Sequence, residues 1–419
     1  MRMRTKGRLT LSLPIGFESS VLRLQQLERT HIFSGSVSFL LALAFSFSLL
    51  APKVWAKTWH IMNDGSGDAP TIQAGVDSAD SGDTVLVGPG TYYESIVSLG
   101  NGVSLISMEG SEATVIDAAR AGSVIQVSGD ATIEGFTLKN GLAQNGGGIS
   151  ARVGANYIII RGNVITMNTA GLQTDSGFGG GVNILDFQNA LIENNHISDN
   201  YAGDSGGGIA VTGPGFIRNN IIRGNGCHVG GGGVYGGNQT EVTWNLIVEN
   251  WSDSFGGGVE GSVAKISNNT IIKNFINNSA FSQGAGIQLG TYSPSEIRNN
   301  IVAYNHGPTG SGTGVGIKCI SLGNLLVGCN DVWSNDVDYE LSANCDTTTL
   351  RNLSADPEIC DPDAENYGLR STSPCAPSNG NCGLIGAFDV ICGPVAIIPT
   401  TWGRIKTFYT PATRSRSGL

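Results

Sequence analysis

The feature that most constrains this chain is a six-residue segment, Asn-x-(Ile/Val)-x-x-Asn, which recurs seven times between residues 163 and 335. The first asparagines of successive copies are 24 to 32 residues apart. A Gly-rich step, most often Gly-Gly-Gly-Ile or Gly-Gly-Gly-Val, precedes the copies, beginning at 146–149. A period of this length indicates a stacked repeat architecture rather than separate globular domains.

Each unit has the composition of a strand-and-turn coil. Short β-branched runs between Gly and Asn are typical of strands, and no segment of the repeat region shows helical periodicity. Stacked coils would bury the third residue of every copy in one continuous column. That column consists of Ile165, Ile197, Ile222, Ile247, Ile271, Val302 and Val332.

The asparagines and the coil length complete the predicted fold. Asn tolerates the left-handed conformation that a sharp corner needs, and stacked Asn side chains can bond one another in a ladder. A coil of about 25 residues accommodates three short strands and their turns. The predicted fold is therefore all-β, a right-handed single-stranded parallel β-helix, or solenoid.

A short helix is expected to cap the start of this stack. Ile72, Val76 and Ala79 lie on one helical face after Pro70, with the N-cap expected near 68–69. A helix here would cover the exposed end of the first coil, as the end of a solenoid requires.

Composition shifts divide the chain into three parts. The apolar run 33–51, followed by Val-Trp-Ala at 54–56, predicts that residues 1–56 form a secretory signal peptide. The run is also long enough to stay as an uncleaved anchor. We expect the β-helix domain to span 57–393 with a Cys-rich closing segment, and 394–419 to form a basic tail.

The net charge of residues 57–419 indicates which classes of partner the protein can bind. Residues 57–419 hold 17 basic and 32 acidic side chains, a net charge of −15. An acidic surface opposes binding to nucleic acid and to anionic membranes. We expect a monomer without a membrane span after signal cleavage, secreted or held at the cell surface.

All eight cysteines follow the predicted signal, which favours disulfides in an exported chain. The candidates are Cys345, Cys360, Cys375 and Cys382. Pairing cannot be deduced from the sequence, and the pairs Cys375–Cys382 and Cys345–Cys360 are the ones expected here.

Several segments carry a family resemblance. Residues 68–73 and 82–92 resemble the opening of the pectin-lyase-like superfamily. The Gly step and the Asn motif are similar to repeats of secreted β-helix proteins, including polymorphic outer-membrane-type surface proteins. Residues 352–357, 373–375 and 383–387 resemble the closing segment of such bacterial proteins. The resemblance implies the fold but not the activity, because the superfamily holds lyases, hydrolases, esterases and adhesins.

No catalytic signature of those enzymes is recognisable. The one match to a hydrolase motif, Arg404-Ile-Lys406, falls in the basic tail beyond the repeats. Arg161, Arg218 and Arg298 share a repeat position, with Glu193 between the first two. Alternating charges of this kind indicate a solvated ladder rather than a catalytic base.

The loops after each final Asn vary in length, so they form the expected site-bearing edge. Alignment on that Asn places four rings in one column, which could hold sugar rings or could pack beneath a loop. The four are Tyr201, Trp251, Phe275 and His306.

A polar column is predicted beside the Gly steps, from Asp175, Asp204, His228 and Asp253. Oxygen ligands from successive coils could bind calcium, or a carboxylate could act as a base. The alternative is a set of Asx turns that bond their own backbone.

Two functions follow from this pattern. The first is a non-catalytic platform that binds a polysaccharide, a cell-surface glycan or a protein partner. The second is a polysaccharide lyase or glycoside hydrolase acting on uronic-acid polysaccharide, with calcium as its candidate cofactor.

Overall fold

The structure is a computed structural model that describes residues 56–151, 156–171, 176–185, 189–277, 283–290, 295–308, 313–320, 325–343, 345–346 and 351–392. Over these residues the chain winds through about ten coils of a parallel β-solenoid, which confirms the predicted fold. The predicted signal peptide, except for Ala56, and the basic tail lie outside the described residues.

The coils pass through three long sheets in the same order, and six of the described coils add a short strand in a fourth; each sheet pairs successive coils in parallel. Sheet 1 contains Thr58–Ile61, Thr84–Val87, Val103–Ser107, Ala131–Glu134, Ile158–Arg161, Ala190–Glu193, Gly215–Arg218, Thr240–Thr243, Lys265–Ser267, Ser295–Arg298, Leu325–Gly328 and Cys345–Asp346. Sheet 2 contains Gly90–Tyr92, Thr114–Asp117, Thr137–Lys139, Val164–Thr166, His196–Ser198, Ile221–Arg223, Leu246–Val248, Thr270–Ile272, Ile301–Ala303 and Asp331–Trp333.

The other two sheets follow the second Asn of each coil. Sheet 3 contains Leu142–Ala143, Thr169–Ala170, Tyr201–Ala202, Gly226–Cys227, Trp251–Ser252 and Phe275–Ile276. Sheet 4 contains Ile96–Leu99, Ile125–Val127, Ile149–Ala151, Val182–Ile184, Ile209–Val211, Val234–Gly236, Val259–Gly261, Gln283–Leu289, Gly314–Cys319 and Val337–Leu341. Three strands per coil were expected; the two-residue strands of sheet 3 make the fourth.

The predicted Ile/Val column lies on the inner face of sheet 2, and all seven of its side chains are fully buried. Inward residues of sheets 1 and 4 join it in one continuous core that runs the length of the stack. Burial of this column against its copies above and below is the main force that holds the coils in register.

The two asparagines of each repeat form two buried ladders, as expected. The backbone N–H and the side-chain Nδ2 of Asn220 both donate to Oδ1 of Asn245, at 2.9 and 3.0 Å. The same Nδ2 also donates to the carbonyl of Ile192 at 2.9 Å. The first ladder ends on Asn352 and the second on the carboxylate of Asp338. These amides therefore bond coil to coil without leaving a buried polar atom unpaired.

The left-handed corners are one residue away from their expected place. The residue before each ladder Asn adopts them, with φ between +54° and +65°. These residues are Gly162, Asn194, Asn219, Trp244, Asn268, Asn299 and Cys329 at the first corner, and Met167, Asp199, Gly224, Glu249, Lys273, Tyr304 and Ser334 at the second. The ladder Asn must point inward to bond its neighbours, so the residue before it makes the turn.

The Gly steps are required by close backbone contacts between coils. A Cβ on Gly233 would lie 2.7 Å from the carbonyl oxygen of Gly258 in the next coil. A Cβ on Gly206, which has φ of +73°, would lie 2.7 Å from Cβ of Ala210. A side chain at Gly233 would push stacked coils apart, and one at Gly206 would overlap its own coil.

The capping helix is present as α1, Ile72–Ser78. It packs against Ile61 and Val85 and so covers the inner face of the first coil. Its N-cap is Thr71, which accepts a hydrogen bond from the Ala74 N–H at 3.0 Å, so the N-cap expected at 68–69 is wrong.

Residues 351–392 form a segment that we call the C-terminal clip. It contains two antiparallel strands, Ile359–Asp361 and Asn366–Leu369, joined by the 3₁₀ turn Pro362–Ala364. The clip packs apolar side chains on the outer face of sheet 2. That cluster contains Leu246, Val248, Ile272, Ile301, Ala303, Tyr367, Leu369, Cys375 and Ile385. The sequence predicted a closing segment, and the structure adds that it reaches back along the side of the stack.

Both expected disulfide pairs are wrong. Cys382 bonds Cys329 at the end of a sheet 1 strand, and Cys360 bonds Cys392 within the clip. Cys375 is a free thiol, buried where its Sγ donates to Oδ2 of Asp331 at 3.0 Å. The clip folds back on sheet 2, and this path brings together cysteines that are 53 and 32 residues apart in sequence. Cys319 is also disulfide-bonded, and the side chain of Cys345 lies outside the described set.

Candidate functional site

The predicted aromatic column lies on the outer side of sheet 3. Tyr201, Gly226, Trp251 and Phe275 are in register in four successive coils. The ring centroids of Tyr201 and Trp251 are 5.9 Å apart, and those of Trp251 and Phe275 are 6.4 Å apart with a 19° interplanar angle. The three rings therefore form a continuous aromatic row (Tyr201, Trp251 and Phe275) at the surface.

Gly226 makes this row continuous although it carries no ring. A Cβ at this position would overlap the indole of Trp251. The indole occupies that space and reaches Tyr201, which lies two coils away. Phe275 is 38 % exposed and the other two rings are half-buried. The row is therefore partly packed against the protein and partly accessible to solvent.

His306 lies one coil beyond Phe275 and is paired with it through an isolated bridge. Its Nδ1 lies 2.9 Å from Oδ1 of Asp336, whose other oxygen accepts from the backbone N–H groups of Gly307 and Gly314. These bonds hold the pKa of Asp336 below its usual value, against the opposing effect of its partial burial. His306 thus continues the column with an imidazole that is held in place by the carboxylate of Asp336.

The predicted polar column is only partly assembled. His228 and Asp253 share one position of the coil, and Asp204 falls one residue later in its own coil, in register with Val229. Matching the Asp-Ser pairs misplaced Asp204, because Asp204 lies two residues before its Gly step whereas His228 and Asp253 lie three residues before theirs. Asp175 lies outside the described residues.

The observed polar row is His228, Asp253 and Asn277. Nδ1 of His228 lies 2.9 Å from Oδ2 of Asp253, whose Oδ1 accepts from Nδ2 of Asn277 at 2.8 Å. Because side chains two residues apart point to the same side of a strand, this row runs beside the aromatic row. We call the two rows together the sheet 3 edge.

Within the described residues, no group of three or more His, Cys, Asp or Glu side chains has an arrangement that would hold a metal ion. Asp204 is held by its own turn, since it accepts from Oγ of Ser205 at 2.9 Å. Calcium binding by the predicted set stays a prediction.

Glu260 is a titratable group that the sequence reasoning did not single out. It lies on the outer side of sheet 4, in register with Tyr235 of the preceding coil. Burial, with a smaller contribution from the charge of Asp204, raises the pKa of Glu260 to about 7. Burial likewise raises the pKa of Tyr235. A signal was available, because the residue after each Gly-Gly-Gly-(Ile/Val) is uncharged in the other coils.

A cavity of about 580 Å³ opens further along the same side of the stack. Its lining includes Leu142 and Ala143, the first strand of sheet 3, together with Gln126, Gln144 and Arg120. Arg120 is exposed and makes no ion pair with any described residue. The cavity therefore adds a free cation and amide groups two coils before the aromatic row.

The arginine column lies on sheet 1, away from this edge. Arg161 pairs with Glu134 at 2.7 Å, and Arg218 pairs with Glu193 at 2.8 Å. Arg298 pairs with Glu296 of its own strand at 3.3 Å. These partly exposed pairs form the charge ladder that the sequence predicted.

In the part of the chain that the structure describes, no helix is long and apolar enough to cross a membrane. The disulfides are consistent with an extracellular protein.

Residues 98–271 match a family model described as a right handed beta helix region. A search of the curated proteins finds no match to this sequence. Among solved structures, the crystal structure of pectate lyase Pel9A is similar, with 13 % sequence identity and a TM-score of 0.43 over 81 % of this chain and 98 % of that chain. The repeats, the ladders and the family match together show that the fold is a right-handed parallel β-helix.

Proposed function

We propose that the protein is secreted or held at the cell surface and binds polysaccharide along the sheet 3 edge, as a non-catalytic platform. The observation that carries the proposal is the contact of Tyr201, Trp251 and Phe275 in one row, beside the hydrogen-bonding row of His228 and Asp253.

The chemistry of the edge fits a sugar. A pyranose ring has apolar C–H faces and a rim of hydroxyl groups. Aromatic side chains supply a large apolar surface at low entropic cost. Carboxylate, amide and imidazole groups accept from or donate to hydroxyls. Apolar and polar rows side by side match both parts of the sugar.

The repeat favours a polymer over a single sugar. Successive coils present equivalent positions about every 4.8 Å along the edge. Several weak contacts to one linked chain would give avidity without a deep pocket. Arg120, in the cavity further along, would favour a carboxylated sugar because a guanidinium binds a carboxylate through two parallel hydrogen bonds.

Affinity electrophoresis in gels containing uronic-acid or neutral polysaccharides tests the proposal. We expect the purified protein to be retarded by at least one polymer, and Trp251→Ala to weaken that binding at least about tenfold. Trp244→Ala is the matched control, since Trp244 is an exposed indole at the corner after sheet 1. Equal binding by both variants and the wild type would exclude the aromatic row as the site.

A second candidate function is polysaccharide cleavage, and Glu260 is the observation that favours it. A carboxyl group with a pKa near 7 can hold a proton or accept one near neutral pH. Tyr235 lies beside it and Asp204 contributes a second charge. Incubation with the same polymers, followed by assays for reducing ends and for unsaturated products, separates the two functions. Product formed by the wild type and lost in Glu260→Gln would replace the platform with an enzyme.

A further inference from the structure

We infer that two copies of this chain pair through the outer face of sheet 1. The face contains an apolar column, Ile159, Leu191 and Phe216, and a charged column, Glu134, Arg161, Glu193 and Arg218. We call these residues the sheet 1 face. The partner is a second copy because the face is complementary to itself, as the following steps show.

The apolar column is unusual for an outward position. Ile159, Leu191 and Phe216 are in register in three successive coils, and Phe216 is 45 % exposed. The clip covers the outer face of sheet 2, but its apolar cluster contains no residue of sheet 1. A contiguous apolar strip bordered by charges is typical of an interaction surface.

The charged column alternates strictly in sign. Glu134, Arg161, Glu193 and Arg218 occupy the same strand position in four successive coils. Their side chains remain partly exposed, at 35 %, 44 %, 15 % and 46 % respectively. The ion pairs within the chain therefore leave charge available to a partner.

A two-fold axis parallel to the strands, between the coils of Arg161 and Glu193, makes the face self-complementary. Such a rotation keeps each column over itself and reverses the order of the coils. Glu134 then opposes Arg218 of the second copy, and Arg161 opposes Glu193. In the neighbouring column Ile159 opposes Leu191, and Thr132 opposes Phe216.

The same arrangement also avoids charge repulsion in the coils that lie farther from the two-fold axis. In the third coil from the axis on each side, Ser104 opposes Glu241 and Ile106 opposes Thr243. No like charges are brought together. In a chain with a net charge of −10, this balanced face is a place where two copies can approach without repulsion.

The area is sufficient for a weak dimer. Around the sheet 1 face, the four coils on each side of the axis run from Thr84–Val87 to Lys265–Ser267. Eight coils at about 4.8 Å and four residues at about 3.3 Å give roughly 500 Å² per copy, or about 1,000 Å² in total. This lies at the lower limit for a specific interface, so we expect a dissociation constant in the micromolar range that rises with salt.

Sedimentation equilibrium tests the pairing with two complementary variants. The acidic variant Arg161→Glu/Arg218→Glu and the basic variant Glu134→Arg/Glu193→Arg should each dimerise at least about tenfold more weakly than the wild type. An equimolar mixture of the two should regain the dimer, because every opposed pair is then of opposite charge. Arg351→Glu/Arg370→Glu makes the same change in net charge as the acidic variant, at exposed residues of the clip, and should dimerise like the wild type.

Circular dichroism of each variant checks that it folds. A wild-type protein that stays monomeric at about 100 μM, well above the expected dissociation constant, would overturn the inference. So would two variants that dimerise as the wild type does, or a mixture of folded variants that fails to recover the dimer.

Discussion

Asn225 and Asn250 lie one coil apart, and both the backbone N–H and the Nδ2 of Asn225 bond Oδ1 of Asn250, at 3.0 Å each. The remaining Nδ2 hydrogen of Asn225 bonds the carbonyl of Ile197 in the preceding coil at 2.9 Å. One side chain thus connects three consecutive coils through a site that is fully buried.

We expect Asn225→Ala to destabilise the fold by about 3 kcal/mol, because it leaves Ile197 O and the neighbouring amides without partners in a dry interior. Urea unfolding followed by circular dichroism measures the change. Asn238→Ala is the control, since Asn238 is an exposed turn residue. A loss of similar size in both variants would mean that the ladder contributes little.

The close contacts at the Gly steps predict that an added side chain there destabilises the protein. Gly233→Ala should cost about 3 kcal/mol, because the new Cβ would lie 2.7 Å from the carbonyl oxygen of Gly258. Gly162→Asn should be nearly neutral, since a Cβ there has no atom within 4 Å and Asn194 holds the same left-handed corner in the next coil. Thermal unfolding of the two variants distinguishes packing from backbone conformation. Equal losses would contradict the steric reason.

Because the pKa of Glu260 is raised, we expect the stability of the protein to depend on pH. Its pKa is raised from 4.5 to about 7 in the folded protein, mainly by burial, so the unfolded chain loses this proton first as the pH rises. The carboxyl therefore lowers the free energy of unfolding progressively between about pH 4.5 and pH 7. Glu260→Gln should be close to the wild type at pH 4 and more stable by on the order of 2 kcal/mol at pH 8.

Urea titrations at both pH values test this difference. Glu241→Gln, on the outer face of sheet 1, is the matched control. A stabilisation of Glu260→Gln that is the same at pH 4 and pH 8 would show that ionisation is not its cause.

The disulfide between Cys329 and Cys382 should stabilise the clip, and the variant Cys329→Ser/Cys382→Ser tests this. This disulfide closes a loop of 53 residues, and its loss should cost about 3 kcal/mol and expose the sheet 2 strands beneath the clip. Hydrogen exchange should then accelerate most in Thr270–Ile272 and Ile301–Ala303. Cys227→Ser is the control, because Ser252 holds the same position in the next coil. Unchanged exchange in the double variant would show that packing alone holds the clip.

The spacing of the repeats made most of the fold predictable. Ile222 and its equivalents follow a period that only stacked coils satisfy, and every residue of that column is buried as expected. The ladder amides were predictable for the same reason, since each copy places an Asn in the same position. Periodic positions are determined by neighbours one period away, which the sequence itself displays.

Residues that depend on the path between coils were not predictable. Cys382 pairs with Cys329 because the clip folds back on sheet 2, a contact between segments with no shared repeat. Glu260 stands out in the sequence only as a charged residue after a Gly-Gly-Gly step, and its burial and raised pKa appear only in the structure.

The clip also changes how the stack as a whole can come apart. A solenoid in which each coil touches only its neighbours frays from a free end, one coil at a time. Here Glu365 pairs with Arg223 and Asp363 pairs with Lys273, several coils before the last one. The final coils could therefore unfold only if the clip detached from sheet 2 at the same time. The C-terminal half of the stack should therefore melt as one cooperative block, while the coils before Arg223 keep the gradual behaviour of a repeat array.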